Sequence, residues 1–338
     1  MIIYQPPVAP QQIPVIDLAP SFTGDPAAFD AVAYEIHKAC REMGFFYVSR
    51  HGVPQGLIDR SFAWSKRFFD LPRGEKLALD MRKSPSTSGY ESGVQQLDSQ
   101  DTAAEKAPPD LKESFQFCID LPDDHPWALK RLRNYGHNQW PAQLAGFREH
   151  MLEYQSVLAA LRTHLLRLVA RSLDLPADWF APYFEMHSGS MRLLKYPPQP
   201  TDAAFNQLGA GAHTDWGALT ILAQDDMGGL EVRNARGDWV SATPIPGTFI
   251  INLGDLMARW SNGIYNANMH RVLNNRSGRD RYSIVAFNSP RPDAVIEPMP
   301  GCVTAEFPRK FPTCTSQEHT NEMFRRSYGY SPGTATAA

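Results

Sequence analysis

Cysteine is scarce in this chain, and the cysteines that occur lie far apart. Cys40, Cys118, Cys302 and Cys314 form no Cys-x-x-Cys pair. A zinc ribbon or a thioredoxin-like redox site needs such pairs, so neither class is supported. Cys302 and Cys314 could pair in an oxidising compartment, but we expect reduced thiols and a cytoplasmic protein.

An excess of charge of one sign and a long hydrophobic run are also missing. The net charge is −3, and charged residues make up 20% of the chain, so nothing points to nucleic acid or an anionic membrane as a partner. No run approaches the ~18 apolar residues of a membrane span, and residues 1–12 lack the features of a signal peptide. We expect a small molecule as the partner, and the sequence leaves the oligomeric state open.

The first half of the chain alternates short apolar strands with amphipathic helices. Apolar residues recur at helical spacing in three segments that are predicted as helices, 26–43, 56–69 and 147–173. Runs rich in β-forming residues predict strands at 14–18, 44–48 and 114–117. Residues 84–111 are polar with interspersed glycine and proline, which predicts a long loop that is functional or mobile.

From residue 191 onward the pattern changes to short β runs separated by turns. Eight such runs predict strands, at 191–196, 219–223, 229–232, 239–241, 248–253, 270–273, 281–287 and 303–305. Many short strands with regular turns are typical of a double-sheet barrel or jelly roll. A last helix is predicted near 317–326, followed by a tail from 328.

A histidine, an aspartate two residues later and a distant second histidine form the most informative pattern. His213 and Asp215 are predicted to share one face of a strand, because strand side chains alternate. Thr214 or Trp216 must then point elsewhere. His270 begins another strand-like run and completes a set of two imidazoles and one carboxylate. That set is the facial triad of non-haem Fe(II) oxygenases, which leaves other coordination positions open, although it could also hold zinc adventitiously.

An arginine and a serine two residues apart follow the triad. Arg281 and Ser283 lie on one face of a predicted strand, and the planar guanidinium can bind a carboxylate through two hydrogen bonds. Tyr196 could add another hydrogen bond. We predict that these residues hold the distal carboxylate of a 2-oxo acid. The alternative is that Arg281 is a surface residue or pairs with an acid such as Asp280.

Two further residues are candidates for contact with the substrate to be oxidised. Arg192 and Tyr196 share a strand face by alternation, so Arg192 faces the cavity if Tyr196 does. We predict that Arg192 contacts the cosubstrate or a carboxylate of the prime substrate, and the alternative is a surface salt bridge. Phe287 lies on the same strand face as Arg281 and either lines the cavity or belongs to the core.

The entrance of such a cavity needs a cover, because closure excludes water from a reactive intermediate. The loop at 84–111 and the C-terminal helix near Phe324 are the candidates for this cover. Lys112 and Glu113, which follow the loop, are expected to fix a domain junction instead.

The ordered motifs of nearly the whole chain resemble the isopenicillin-N-synthase-like family of Fe(II)/2-oxoglutarate-dependent dioxygenases. The matching segments are 13–18, 44–48 with 51–54, 112–115, 138–141, 192–198, 212–215, 228–230, 252–255, 270–272 and 281–283. One departure is Leu194, which stands where plant members often have asparagine. The segments 191–198 and 224–230 look more like bacterial and fungal members, including the ethylene-forming enzyme, which also has an arginine matching Arg192.

The resemblance implies a fold, a division of the chain and a set of cofactors. The fold would be α+β, with a double-stranded β-helix (jelly-roll) core and with N-terminal and flanking helices. We expect an N-terminal region at 1–125, connecting helices at 126–185, the Fe(II)/2-oxoglutarate core at 186–310, and a C-terminal helix and tail at 311–338. The implied cofactor is Fe(II), with 2-oxoglutarate and O2 as cosubstrates and with iron at His213, Asp215 and His270.

The leading expectation is a dioxygenase that hydroxylates or desaturates a small metabolite while 2-oxoglutarate is decarboxylated to succinate. An oxidase that uses iron and O2 without a 2-oxo acid is an alternative, since isopenicillin N synthase retains the Arg-x-Ser pair. Fragmentation of 2-oxoglutarate to ethylene is another. A non-catalytic binding module is the alternative from a different class, but the intact triad argues against it.

Overall fold

The computed structural model of the protein describes residues 4, 6, 10–92, 109–203 and 207–328. Most of the predicted 84–111 loop and nearly all of the predicted tail therefore lie outside the described residues. Within the described ranges, no helix is both long and apolar enough to cross a membrane.

Helices lie between the strands along the chain, and one helix follows the last strand. Their bounds are α1 Pro26–Glu42, α2 Gln55–Phe69, α3 Arg73–Ala78, α4 Pro126–Leu129, α5 Phe147–Arg171, α6 Ala181–Phe184, α7 Asp255–Trp260 and α8 Ser316–Tyr328, with 3-10 turns at Ala19–Phe22 and Met81–Lys83. The predicted helices α1, α2, α5 and α8 are confirmed to within about two residues, the usual uncertainty of helix ends. Asp25 starts α1 by accepting a hydrogen bond from the amide of Ala27, with Pro26 at the first helical position.

A nine-stranded sheet forms the larger β layer. Its strands are β1 Val15–Asp17, β2 Phe45–Ser49, β3 Gly89–Ser92, β4 Glu113–Asp120, β5 Tyr135–Gly136, β6 Ser190–Tyr196, β8 Leu219–Gln224, β11 Thr248–Leu253 and β13 Arg281–Asn288. They are ordered β1-β2-β11-β8-β13-β6-β4-β3, with β5 beside β4. Strands of the N-terminal segment thus extend the sheet of the core on both edges. The four-part division of the chain stays a prediction.

A smaller sheet faces the first. It consists of β7 Ala210–His213, β9 Leu230–Arg233, β10 Trp239–Ser241 and β12 His270–Val272, in the order β10-β9-β12-β7. A short pair, β14 Val295–Ile296 and β15 Cys314–Thr315, lies apart. The predicted strand at 303–305 is wrong: this segment is an exposed turn after Gly301, and the local pairing is made by β14 and β15 instead.

Alternation along the strands divides the apolar residues between two cores. On β11, Phe249 and Ile251 pack in the core shared with α1, α2 and α5, whereas Ile250 packs between the two sheets. Val285 of β13 likewise points between the sheets. Because period-two alternation sends every second side chain inward, the inner face can carry polar chemistry without disturbing the helix-facing core.

Candidate metal and substrate site

A cavity of about 800 Å³ lies between the two sheets. All eight predicted site residues border it, namely Arg192, Tyr196, His213, Asp215, His270, Arg281, Ser283 and Phe287. The structure therefore brings together residues from four different strands and the turn that follows one of them. The cavity is large enough for a small metabolite beside a cosubstrate.

The two histidines and the aspartate meet at one point of the cavity. His213 is the last residue of β7 and pairs in register with His270, the first residue of β12, while Asp215 follows β7 by two residues. Asp215 Oδ1 lies 4.0 Å from His213 Nε2 and 3.8 Å from His270 Nε2. One ligand atom from each residue lies within 4.8 Å of the other two, so a single metal ion can contact all three.

The other ring nitrogen of each histidine is bound to the backbone. His213 Nδ1 donates to the carbonyl of Gly211 at 2.7 Å, and His270 Nδ1 donates to that of Asn268 at 3.2 Å. In the neutral tautomer that this implies, Nε2 carries the lone pair that a metal needs. Burial, reinforced by the neighbouring His270, lowers the pKa of His213 below its usual range, which favours the neutral imidazole.

The carboxylate of Asp215 is held by two donors on one oxygen. Oδ2 accepts hydrogen bonds from Thr220 Oγ1 at 2.6 Å and from Asn252 Nδ2 at 2.7 Å. Burial would raise the pKa of Asp215, but the two histidines and these donors lower it below its usual range. Oδ1 is thereby left to face the imidazoles. Two neutral nitrogens and one ionised oxygen fit Fe(II), so the residues present suit the implied metal.

Backbone contacts fix the turn that carries Asp215. The amide of Asp255 donates to the carbonyl of Asp215 at 2.8 Å, and a Cβ on Gly254 would lie only 2.6 Å from that carbonyl. Thr214 and Trp216 both border the cavity beside Asp215. Because β7 ends at His213, strict alternation does not extend to these residues.

Arg281 is a buried residue of the cavity wall, with 3% of its surface exposed. Its Nε donates to the carbonyl of Gly228, and its Nη2 lies 3.4 Å from Gln224 Oε1, but Nη1 has no hydrogen-bond partner among the described residues. The ring of Tyr196 packs 4.7 Å from the guanidinium carbon. The predicted alternative of a pair with Asp280 is not found, since Asp280 binds Lys195 at 3.3 Å.

Arg192 lies on β6, the neighbour of β13, opposite Val285. Its Nε and Nη2 both donate to Gln116 Oε1, at 3.0 and 2.7 Å. Its guanidinium carbon is 6.0 Å from the centre of the Phe287 ring. The surface salt bridge considered above is not found within the described ranges, where the hydrogen-bond partner of Arg192 is the amide oxygen of Gln116 and not a carboxylate.

Three polar residues of the site could not be predicted from the sequence. Thr220, Asn252 and Gln116 carry no local signal that singles them out, although Asn252 lies in the 252–255 motif and Gln116 in a predicted strand. Their roles depend on strand pairing, since Gln116 stands opposite Arg192 in the β4–β6 register. Lys112, expected to fix a domain junction together with Glu113, borders the cavity and binds Asp110 Oδ2 at 2.9 Å.

Helix α8 contributes to the wall of the cavity, and its role as a cover of the entrance stays a prediction. Thr320 and Phe324 border the cavity. The Phe324 ring packs edge-on against Trp216 at 6.0 Å and lies 3.2 Å from the guanidinium carbon of Arg133. The aromatic side chains of the metal-bearing turn and of α8 are thus in direct contact.

Comparison with known proteins gives matches over both halves of the chain. The family model for the non-haem dioxygenase in morphine synthesis N-terminal region matches residues 13–143, and that of the 2OG-Fe(II) oxygenase superfamily matches residues 187–290. The 2-oxoglutarate-Fe(II) type oxidoreductase hxnY of Emericella nidulans is 37% identical over 95% of this chain and 92% of its own length. The homoarginine-6-hydroxylase 2-ODD-C23 of Glycine max is 35% identical over 85% and 88%.

A solved structure gives the same result for the fold. A full-length Neurospora crassa protein in complex with alpha-KG and thymine superimposes with a TM-score of 0.81 at 30% identity, covering 94% of this chain and 97% of that one. The expected α+β fold with a double-stranded β-helix (jelly-roll) core is confirmed.

Proposed function

Because the chain belongs to the 2OG-Fe(II) oxygenase superfamily, we propose that His213, Asp215 and His270 hold its Fe(II) and that Arg281 and Ser283 hold the distal carboxylate of its 2-oxoglutarate. The protein is a non-haem Fe(II)- and 2-oxoglutarate-dependent dioxygenase that acts on a small metabolite. Zinc in the triad would be adventitious. A cytoplasmic location and the four-part division of the chain remain part of the proposal.

When bound, the iron centre couples the decarboxylation of 2-oxoglutarate to succinate with the use of O2 to oxidise the prime substrate. The chain itself supplies binding and orientation. Thr220 and Asn252 orient Asp215 so that one oxygen faces the imidazoles. Arg281 and Ser283 border the cavity from one face of β13. A dicarboxylate bound by them and by the metal would therefore extend from the triad toward β13.

The observation that carries the cosubstrate assignment is the unpaired Nη1 of Arg281. A buried guanidinium nitrogen without a partner among the described residues is costly, so the cavity is suited to receive an acceptor there. The neighbouring Ser283 borders the same space, and the Tyr196 ring packs against the guanidinium. A carboxylate fits this arrangement because it can accept from Nη1 and from the serine hydroxyl together.

Anaerobic titration of 2-oxoglutarate into the Fe(II)-loaded protein tests this assignment. The weak visible charge-transfer band of a chelated 2-oxo acid should saturate in the parent. Arg281→Leu should keep Fe(II) but bind 2-oxoglutarate at least about tenfold more weakly, since the charge-assisted hydrogen bond from Nη1 contributes about 1.5–3 kcal/mol. Arg279→Leu, which changes an exposed arginine on the same segment, is the matched control. Equal affinity in Arg281→Leu and the control would mean that the carboxylate binds elsewhere.

We further propose that Arg192 and Phe287 bind the prime substrate. Gln116 occupies two nitrogens of Arg192 without neutralising its charge, so the guanidinium can attract a carboxylate or carbonyl oxygen. Phe287 offers a flat apolar surface beside it. A small, partly flat molecule with a carboxylate or carbonyl group fits both features, and the similar Neurospora crassa protein is described in complex with thymine. Hydroxylation or desaturation is the expected outcome.

Succinate release in the presence of small carboxylates and cyclic amides identifies substrates against which to test Arg192. Arg192→Leu should lose at least about tenfold in kcat/KM for each substrate found, because one charge-assisted hydrogen bond is removed. Its affinity for 2-oxoglutarate, measured by the charge-transfer band, should equal that of the parent. A weaker band at equal 2-oxoglutarate would assign Arg192 to the cosubstrate. Unchanged turnover and affinity would exclude both roles.

A further inference from the structure

A second, much smaller cavity lies behind the wall of the substrate site. It measures about 20 Å³ and lies among helix α5, the segment 187–191 and the end of β13. Ser190 and Phe287 border both this cavity and the large one. The small cavity therefore touches an aromatic residue that we assign to the prime substrate, and its size suits one water molecule or one ion of similar size.

Arg162 on α5 reaches this cavity and is buried, with 7% of its surface exposed. Its Nε and Nη1 have no hydrogen-bond partner in the part of the chain that the structure describes. The ring of Phe184 lies 5.7 Å from its guanidinium carbon, and none of the residues bordering the cavity is acidic. A buried guanidinium without a carboxylate is rare, because the desolvation of the charge is uncompensated.

His187 adds a second donor to the same wall. Its Nδ1 accepts a hydrogen bond from the amide of Gly189 at 3.1 Å, so the proton of the neutral ring resides on Nε2. Burial, followed by the nearby charge of Arg162, lowers the pKa of His187 to about 3. The imidazole can therefore donate a hydrogen bond without adding a second positive charge, and the cavity keeps the single positive charge of Arg162.

We propose that this cavity is a binding site for a small monovalent anion, a halide such as chloride, held by the guanidinium of Arg162 with His187 as a further donor. One negative charge would neutralise the guanidinium and accept a hydrogen bond from one of its two unpaired N–H groups. The volume excludes 2-oxoglutarate, succinate and other carboxylic acids of that size. A water molecule could accept from one of these N–H groups but would leave the charge uncompensated, so an anion is favoured.

The bound anion would support the wall of the substrate site. Phe287 borders both cavities, and Ser190 opposes Phe287 in the β6–β13 register. Filling the space beside Arg162 would restrict the movement of both residues. Anion binding at Arg162 does not depend on whether Phe287 contacts the prime substrate.

Thermal unfolding in sodium chloride and in sodium gluconate at equal ionic strength tests for the anion. The parent should unfold about 2 °C higher in chloride, because an ion that binds only the folded state stabilises it. Arg162→Met should lose this difference. Arg167→Met, which makes the same change at an exposed position of α5, should retain it. An equal response to chloride in all three proteins would show a general salt effect and overturn the proposal.

A crystal of the parent grown in sodium bromide provides the second measurement, which does not depend on the folding of a variant. An anomalous difference peak is expected within hydrogen-bond distance of either Nε or Nη1 of Arg162. Density without anomalous signal would identify a water only and overturn the anion assignment. Because neither measurement uses Fe(II) or 2-oxoglutarate, a failure here is distinguishable from a failure of the proposed dioxygenase site.

Discussion

Replacing Thr220 by valine tests how the protein orients its metal-binding carboxylate. The change removes the hydroxyl that donates to Asp215 Oδ2 at 2.6 Å and nearly preserves the shape of a buried side chain. A hydrogen bond to a charged acceptor contributes about 1.5–3 kcal/mol. The lower end applies, because Asn252 still donates to the same oxygen at 2.7 Å. A loss of about 1.5 kcal/mol corresponds to about tenfold weaker Fe(II) binding, within the range known for residues that support metal ligands.

The assay is an anaerobic Fe(II) titration at saturating 2-oxoglutarate, read from the visible charge-transfer band. Thr220→Ser keeps the hydroxyl, so this variant should bind Fe(II) as the parent does. Unfolding temperatures of both variants separate an effect on the metal from an effect on folding. If Thr220→Val bound Fe(II) as tightly as the parent while remaining folded, the reasoning that Oδ2 must be held for Oδ1 to face the metal would be refuted.

Two further predictions concern the turn at Asp215 and the stability in acid. Gly254→Ala should weaken Fe(II) binding and lower the unfolding temperature, because its Cβ would press on the Asp215 carbonyl; Gly74→Ala, with open space around it, is the control. An unchanged Fe(II) titration would contradict this. Burial lowers the pKa of His164 from 6.5 to about 4, so the unfolded chain takes up a proton first and stability falls as the pH drops between these values. Between pH 7 and 4, the free energy of unfolding of His164→Gln, measured with denaturant, should therefore fall less than that of the parent. An identical fall in both proteins would contradict this prediction.

Alternation along strands accounts for most of what the sequence can predict about the site. It places Arg281, Ser283 and Phe287 on one face of a strand, and all three border the cavity. Arg192 and Tyr196 behave in the same way on β6. The rule does not apply directly after β7 ends, where residues 214 and 216 border the cavity together with Asp215. Periodicity is a property of a strand, and the sequence does not mark where a short strand stops.

Features that depend on pairing between distant strands cannot be predicted from local pattern. Gln116 binds Arg192 because β4 and β6 are neighbours in register, although 76 positions separate the two residues. The strand predicted at 303–305 is a turn, and Val295–Ile296 pairs instead with Cys314–Thr315. A strand of two residues is too short to show an alternating pattern in the sequence. The unpaired N–H groups of Arg162 are likewise visible only when the packing around α5 is known.

Arg281 and Arg192, two of the arginines that border the cavity, have different hydrogen-bond partners and are therefore suited to different ligands. Arg281 is nearly inaccessible, and its described neighbours leave one nitrogen unpaired, so binding a carboxylate there removes an existing penalty. Arg192 is less buried, and Gln116 already satisfies two of its nitrogens, so a ligand adds a contact without removing a comparable penalty. Binding at Arg281 should therefore be strong and invariable, as a cosubstrate requires. Binding at Arg192 should be weaker and depend on the fit against Phe287, which is the property that distinguishes one prime substrate from another.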